Sequence, residues 1–182
     1  MPSSDAAIAR NFALRRATIA DVDIVHSIMA ETARWLQSRG NDMWQWVLSD
    51  DGKSTVRNRI ESHETYIISD QQAQPIATFA IQFSDPNIWG ERGKDDGKSA
   101  YIHGLAVRRC VGGRGLGYEL LNIASQMLAE RGKTLLRLDC MAENEPLCDY
   151  YRKAGFTEVG AVHLNKWNWT SRLFERPINI AK

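Results

Sequence analysis

The sequence predicts an α/β or α+β fold built around one sheet. Apolar, strand-like runs are mixed with helix-period stretches along the whole chain. One of them, residues 101–107, leads through a loop containing Gly112, Gly113, Gly115 and Gly117 into a helix with apolar residues at Leu116, Leu120, Leu121, Ala124, Met127 and Leu128. The chain has 182 residues, 43% hydrophobic and 25% charged, which suits one domain with its own core. A loose tail is expected over residues 1–10 and a single domain over 11–182.

Taken in order, residues 12–18 read as a strand. Thr18 and Asp21 have capping-box spacing before a helix that carries Val22, Val25, Met29, Ala33 and Leu36 on one face and stops at Gly40. Residues 41–51 connect to a short helix over 56–62. Residues 65–69 and 76–83 read as a strand pair. The polar stretch 85–99, with Pro86, Gly90, Gly93 and Gly97, is expected to be an exposed loop, read as a lid, a contact of a homodimer or plain solvated surface. The central strand, the glycine loop and the long helix follow, ending near Gly132. Residues 134–141 form a buried strand. Asn144 is the expected N-cap of a last helix, with Pro146 in its first turn and Gly155 at C′. Residues 156–164 and 172–178 are two terminal strands.

The net charge is +1 and the pI about 7.7, so there is no basic field for nucleic acid. No apolar run approaches the ~20 residues of a membrane span. The N-terminus lacks a signal-peptide layout. Cys110, Cys140 and Cys148 have no zinc-ligand spacing and read as reduced thiols of a cytoplasmic protein.

A strand, a glycine-rich turn and a helix N-terminus together seat a phosphate or diphosphate on main-chain N–H groups. The dinucleotide fingerprint does not fit, because Gly113, Gly115 and Gly117 have the wrong spacing. Two near-matches to a nucleotide-binding P-loop, ending at Gly52-Lys53-Ser54 and Gly97-Lys98-Ser99, lack the first glycine: Val47 and Arg92 stand there.

The run Leu105-Ala106-Val107, then Gly112-Gly113-Arg114-Gly115-Leu116-Gly117, then Leu120-Leu121 resembles the acyl-CoA motif of the GCN5-related N-acetyltransferases (GNAT). That pattern is Gln/Arg-x-x-Gly-x-Gly/Ala after an apolar strand, and its first position is Gly112 here. A second match lies downstream: Asn144, Tyr151 and Gly155-Phe156 resemble the family's Asn-(x)6-Tyr-(x)3-Gly-Phe signature. The resemblance covers roughly residues 12–164. It implies a single mixed, mostly antiparallel sheet flanked by helices and acetyl-CoA as donor. The pantetheine arm would pair with main chain at Leu105, Ala106 and Val107, in a gap where the central strand splays from strand 134–141. The diphosphate would sit on Gly112 to Gly117, with Asn144 and Tyr151 also contacting the coenzyme.

The family's direct transfer in a ternary complex makes Tyr151 the acid that protonates the leaving thiolate, or else a packing aromatic. An amide near Val107 is the implied oxyanion donor. The segment from His103 to Arg108 resembles arylalkylamine N-acetyltransferases, where a histidine at this place helps deprotonate the amine; the companion position two residues earlier is Tyr101 here. His103 is therefore base or structural residue, with ordered water as the other route. By the same resemblance Trp44, Trp46 and Trp167 line the acceptor pocket, with Asp42 or Glu31 attracting a cationic amine, or else these tryptophans close the core. The expected activity is acetyl transfer to a primary amine of a small molecule, with no metal. The alternatives are an acyl-CoA sensor without transfer and an N-acetyltransferase of proteins.

Overall fold

A computed structural model describes residues 12–165 and 168–179 of the chain. The expected tail over 1–10 lies outside the described residues. The elements are β1 (Ala13–Arg16), α1 (Val22–Gln37), α2 (Gly52–Ser62), β2 (Glu64–Ser69), β3 (Pro75–Gln82), α3 (Pro86–Trp89), β4 (Ser99–Val107), α4 (Leu116–Glu130), β5 (Leu135–Met141), α5 (Glu145–Lys153), β6 (Thr157–Leu164) and β7 (Trp169–Pro177). The strands form one mixed sheet in the order β1-β2-β3-β4-β5-β7-β6. β4 and β5 run parallel, and their ladder extends only from Ser99↔Leu135 to Tyr101↔Arg137. β1–β2, β2–β3, β5–β7 and β6–β7 are antiparallel. No helix among the described residues is long and apolar enough to cross a membrane.

The chain divides into two compact units. The first takes in the described residues up to Ile81 together with Gly104–Leu121. Its main helix, α1, is anchored at its start by Asp21. The Asp21 carboxylate accepts the Thr18 N–H at 2.9 Å and both Arg15 guanidinium nitrogens at 2.6 and 2.8 Å. The Arg15 hydrogen bond, helped by Thr18 and opposed by burial, holds that carboxyl well below the usual carboxylate range. α1 buries Val22, Val25, Ile28, Met29, Ala33 and Leu36 at helical spacing. Most of these pack with Val56 and Ile60 of α2, Ile67 of β2 and Ala106 of β4, and each large aliphatic group contributes about 1.5–3 kcal/mol. α2 begins at Gly52, four residues before the expected start. The Asp51-Gly52 pair reads as a turn signal, yet the Thr55 N–H already donates to the Asp51 carbonyl at 2.9 Å. Glycine is required at 52 because a Cβ there would run into the Val47 carbonyl.

The second unit comprises Gln82–His103 and the described residues from Asn122 onward. Most of the stretch 85–99 is exposed, as expected, but it is not plain loop. The segment contains α3 and a 3-10 turn at Gly90–Gly93, and Trp89 and Asp85 are buried. Proline and glycine mark chain reversals, but they do not report whether the reversal carries an anchor. Trp89 is that anchor: its ring meets Tyr101 edge-on at 5.7 Å, in a cluster with Leu173. The Tyr101 hydroxyl donates to the Arg92 carbonyl at 2.9 Å, and Arg137 donates to both groups at 2.8 Å. At the other end Asp96 accepts the N–H groups of Lys98 and Ser99 at 2.8 and 2.6 Å and the Ser99 hydroxyl at 2.7 Å. β7 begins at Trp169, three residues before the expected 172, because its ladder with β6 runs out to Leu164↔Trp169. All three cysteines are free; Cys140 and Cys148 are buried with their sulfurs 3.4 Å apart.

Candidate active site

In the first unit, β4 ends at Val107 and the connection runs through a 3-10 turn, Arg109–Val111, into α4. Ala106 is buried in the core, while Leu105 and Val107 are half-buried. Gly113 and Gly115 have φ of +75° and +81°, conformations that L side chains rarely adopt. Nothing lies within 4 Å of where their Cβ atoms would be, so main chain faces open space. The Gly115 carbonyl accepts the first helical N–H groups, from Tyr118 at 3.0 Å and Glu119 at 3.3 Å. Among the described residues, the N–H groups of Gly113, Arg114, Gly115 and Leu116 have no acceptor. Unpaired donors at the positive end of a fifteen-residue helix suit an anion. These residues therefore fit a diphosphate.

Two arginines frame this loop, and Arg109 has no counterpart in the sequence reading. Its guanidinium lies 3.0 Å from where a Cβ of Gly112 would stand and 4.1 Å above the Trp35 ring. A cation thus occupies the place where the family pattern has a Gln or Arg side chain. Arg108 reaches back to α1: it donates to Glu31 at 2.9 Å, Ser27 at 2.8 Å and the Pro75 carbonyl at 2.8 Å. Glu31 also accepts the Arg109 N–H at 2.6 Å. Glu31 is thereby engaged by both arginines. A cavity of about 380 Å³ is lined by Arg114, Leu116, Glu119, Ile76 and the 70–72 turn. Burial pushes the Glu119 carboxyl up.

Trp44 and Trp46 are half-buried against the α1 core. Trp44 holds a left-handed φ of +70°, a costly conformation for a bulky residue. Trp46 lies 5.3 Å from the Arg59 guanidinium. Trp167 lies outside the described residues. Asp42 is exposed on the same connection.

In the second unit, His103 lies on β4 with its side chain 14% exposed. Its Nε2 is 3.2 Å from Asp85 Oδ2, and its Nδ1 is 4.0 Å from Asp139 Oδ1. The Asp85 contact is not aligned as a hydrogen bond, so both of its atoms are buried without a partner. Asp139 accepts the Ser171 hydroxyl at 2.9 Å. Burial pushes the Asp139 carboxyl up, opposed by His103 and Ser171. The three side chains present ligand atoms within 4.8 Å of one another, close enough to share a cation or a mobile proton. Neither aspartate was singled out from the sequence; the available signal was an ionisable residue inside the apolar strand 134–141.

Tyr151 is on the buried face of α5, its ring 6.0 Å from Phe156 and 5.9 Å from Phe174. Its hydroxyl makes no hydrogen bond among the described residues. Burial, reinforced by neighbouring thiols and Asp139, pushes the phenol up, so it keeps its proton at any working pH. Asn144 caps α5 by accepting the Leu147 N–H at 3.3 Å, and Gly155 ends the helix with φ +83°.

The strand, open loop and helix, on a mixed seven-stranded sheet, define an acyl-CoA-dependent transferase. The model of the acetyltransferase (GNAT) family matches residues 25–156. An uncharacterized N-acetyltransferase of Bacillus subtilis, YesJ, is 30% identical over 157 residues, 85% of this chain and 86% of that protein. A streptothricin acetyltransferase from Escherichia coli is 26% identical over 64% of this chain and 68% of its own. The crystal structure of a GNAT-family acetyltransferase from Listeria monocytogenes superposes with a TM-score of 0.73 at 25% identity, covering 91% of this chain and 94% of that one. The chain belongs to the GNAT family of acetyltransferases, and its acyl donor is acetyl-CoA.

Proposed function

We propose that this enzyme acetylates a primary amine of a small molecule by direct attack within a ternary complex, as a single cytoplasmic domain. The observation that carries this reading is the row of unpaired N–H groups at Gly113, Arg114, Gly115 and Leu116. They hold the diphosphate, and the Arg109 and Arg114 side chains add positive charge beside it. The main chain of Leu105, Ala106 and Val107 aligns the pantetheine arm as an added strand. Bound acetyl-CoA supplies a thioester whose C–S bond breaks as the acceptor nitrogen bonds its carbonyl carbon. Holding both reactants in place is the largest contribution such a site makes.

His103 takes the proton that the ammonium must lose. Asp85 and Asp139 then stabilise the imidazolium, since both carboxylates lie within 4.0 Å of the ring. Tyr151 keeps its proton for the departing sulfur, its hydroxyl being free of other partners. Trp44 and Trp46 wall the acceptor. A free donor phenol and a base beside two acids favour transfer over a coenzyme sensor, and the streptothricin-acetylating relative favours a small acceptor.

The test is calorimetry with acetyl-CoA, followed by thiol release with a panel of amines. Tyr151→Phe should slow turnover about ten- to hundredfold with acetyl-CoA affinity kept. His103→Ala should lower kcat/KM and remove one ionisation from its pH profile. Absence of acetyl-CoA binding, or wild-type turnover in both variants, defeats this reading.

A further inference from the structure

Arg59 of α2 is held in a way unlike the other half-buried arginines. Arg108, in the same unit, has two side-chain oxygens and a carbonyl around its guanidinium. Arg176 donates to Ser125 at 2.7 Å and to the Ala154 carbonyl at 2.8 Å. Arg59 has no hydrogen-bond acceptor and no carboxylate partner among the described residues. Its guanidinium lies 5.3 Å from the Trp46 ring. Burial drives its pKa below the usual arginine value. Cation–π contact with one ring is too weak to replace the water such a group gives up.

The surroundings show where the guanidinium points. Its Nη1 lies 2.6 Å from where a Cβ of Gly104 would stand, and the Met29 methyl is 3.6 Å from the same point. Gly104 itself has φ +60°, so the central strand is both bent and bare at this place. The guanidinium therefore lies against the bare main chain of β4, close to the tryptophan-bearing connection. It is a planar fork of donors with an aromatic plate beside it and no anion of its own, a combination that suits a carboxylate.

We infer that Arg59 binds a carboxylate of the acceptor, so that the acceptor is an amine of the amino-acid class. This rests on the acetyltransferase reading above. Arg59 pairs with the carboxylate, Trp46 stacks beside the pair, and Gly104 leaves room for both. An amine that carries no anion leaves the buried cation as it is and gains nothing from this contact.

The experiment compares amino acids with their decarboxylated amines, such as phenylalanine with phenethylamine and methionine with 3-(methylthio)propylamine, and includes spermidine. Binding is read by calorimetry without coenzyme, and thiol release with acetyl-CoA. At least one amino acid should bind and should exceed its amine by about tenfold or more in kcat/KM. Arg59→Gln should weaken that amino acid about ten- to hundredfold, chiefly through KM, and leave acetyl-CoA affinity unchanged. Arg59→Lys, which keeps the charge but not the fork, should fall between, and both variants should melt near wild type. Preference for amines without a carboxylate overturns the inference. So does binding of no amino acid, or a loss of acetyl-CoA affinity in Arg59→Gln, which would assign the guanidinium to coenzyme phosphates. Failure of the transferase reading is distinct: acetyl-CoA then does not bind, and amino-acid heat, present or absent, still decides the role of Arg59.

Discussion

Two glycine-containing connections of this chain, 85–99 and 108–117, use their main-chain donors in opposite ways. In 85–99 the N–H groups are taken up locally. Asp95 accepts that of Gly97 at 2.9 Å, Asp96 accepts those of Lys98 and Ser99, and the Asp85 N–H donates to the Gly93 carbonyl at 2.7 Å. Trp89 then pins the segment. In 112–117 the residues are four glycines, Arg114 and Leu116, and none has a short acceptor side chain that could fold back on the main chain. Among the described residues, the N–H groups of Gly113, Arg114, Gly115 and Leu116 stay open. Glycine content is shared; what separates a closed connection from a receptor is the presence of Asp, Asn or Ser to cap it.

That contrast can be broken from either side. The largest effect is expected from Trp89→Ala, which empties the anchor of the closed connection and should cost about 3–5 kcal/mol in a denaturant titration. An unchanged midpoint would make the segment mere surface. Next comes Arg114→Asp, which gives the open loop a self-capping anion and should weaken acetyl-CoA about a hundredfold while leaving the melting temperature nearly unchanged. Unaltered affinity would mean that those N–H groups hold no diphosphate.

The smallest effect is expected from Asp96→Asn. Burial raises the Asp96 carboxyl, but hydrogen bonds from Ser99 and Lys98 outweigh it and bring the group down to about 2 from 3.8. A folded value below the unfolded one means that the stabilisation is complete above 3.8 and disappears as pH falls toward about 2. Because the residue is exposed, solvent screening limits the loss to roughly 0.5–1 kcal/mol. The difference between wild type and variant should close over that acid window; a gap that persists below it would show that the charge was not responsible.

What could be read from the sequence was local. The apolar run into glycines and then helical spacing marked β4 and α4, and Asn144, Pro146 and Gly155 marked α5, because caps and left-handed turns depend on neighbouring residues. Trp89 was hidden by prolines and glycines that signal turns whether or not the turn is packed. Asp85, His103 and Asp139 come from separate stretches that only the fold assembles. Arg59 and Gly104 each look unremarkable alone, since a helix-surface arginine and a strand glycine are common; their meaning is in the approach of one to the other.

The double role of Glu31 has a consequence for association. By accepting both the Arg108 guanidinium and the Arg109 N–H, it rivets the start of the glycine loop to α1. Ordering at that point is completed when the chain folds, so for a coenzyme bound as proposed above little motion of the loop's start remains to be frozen on contact.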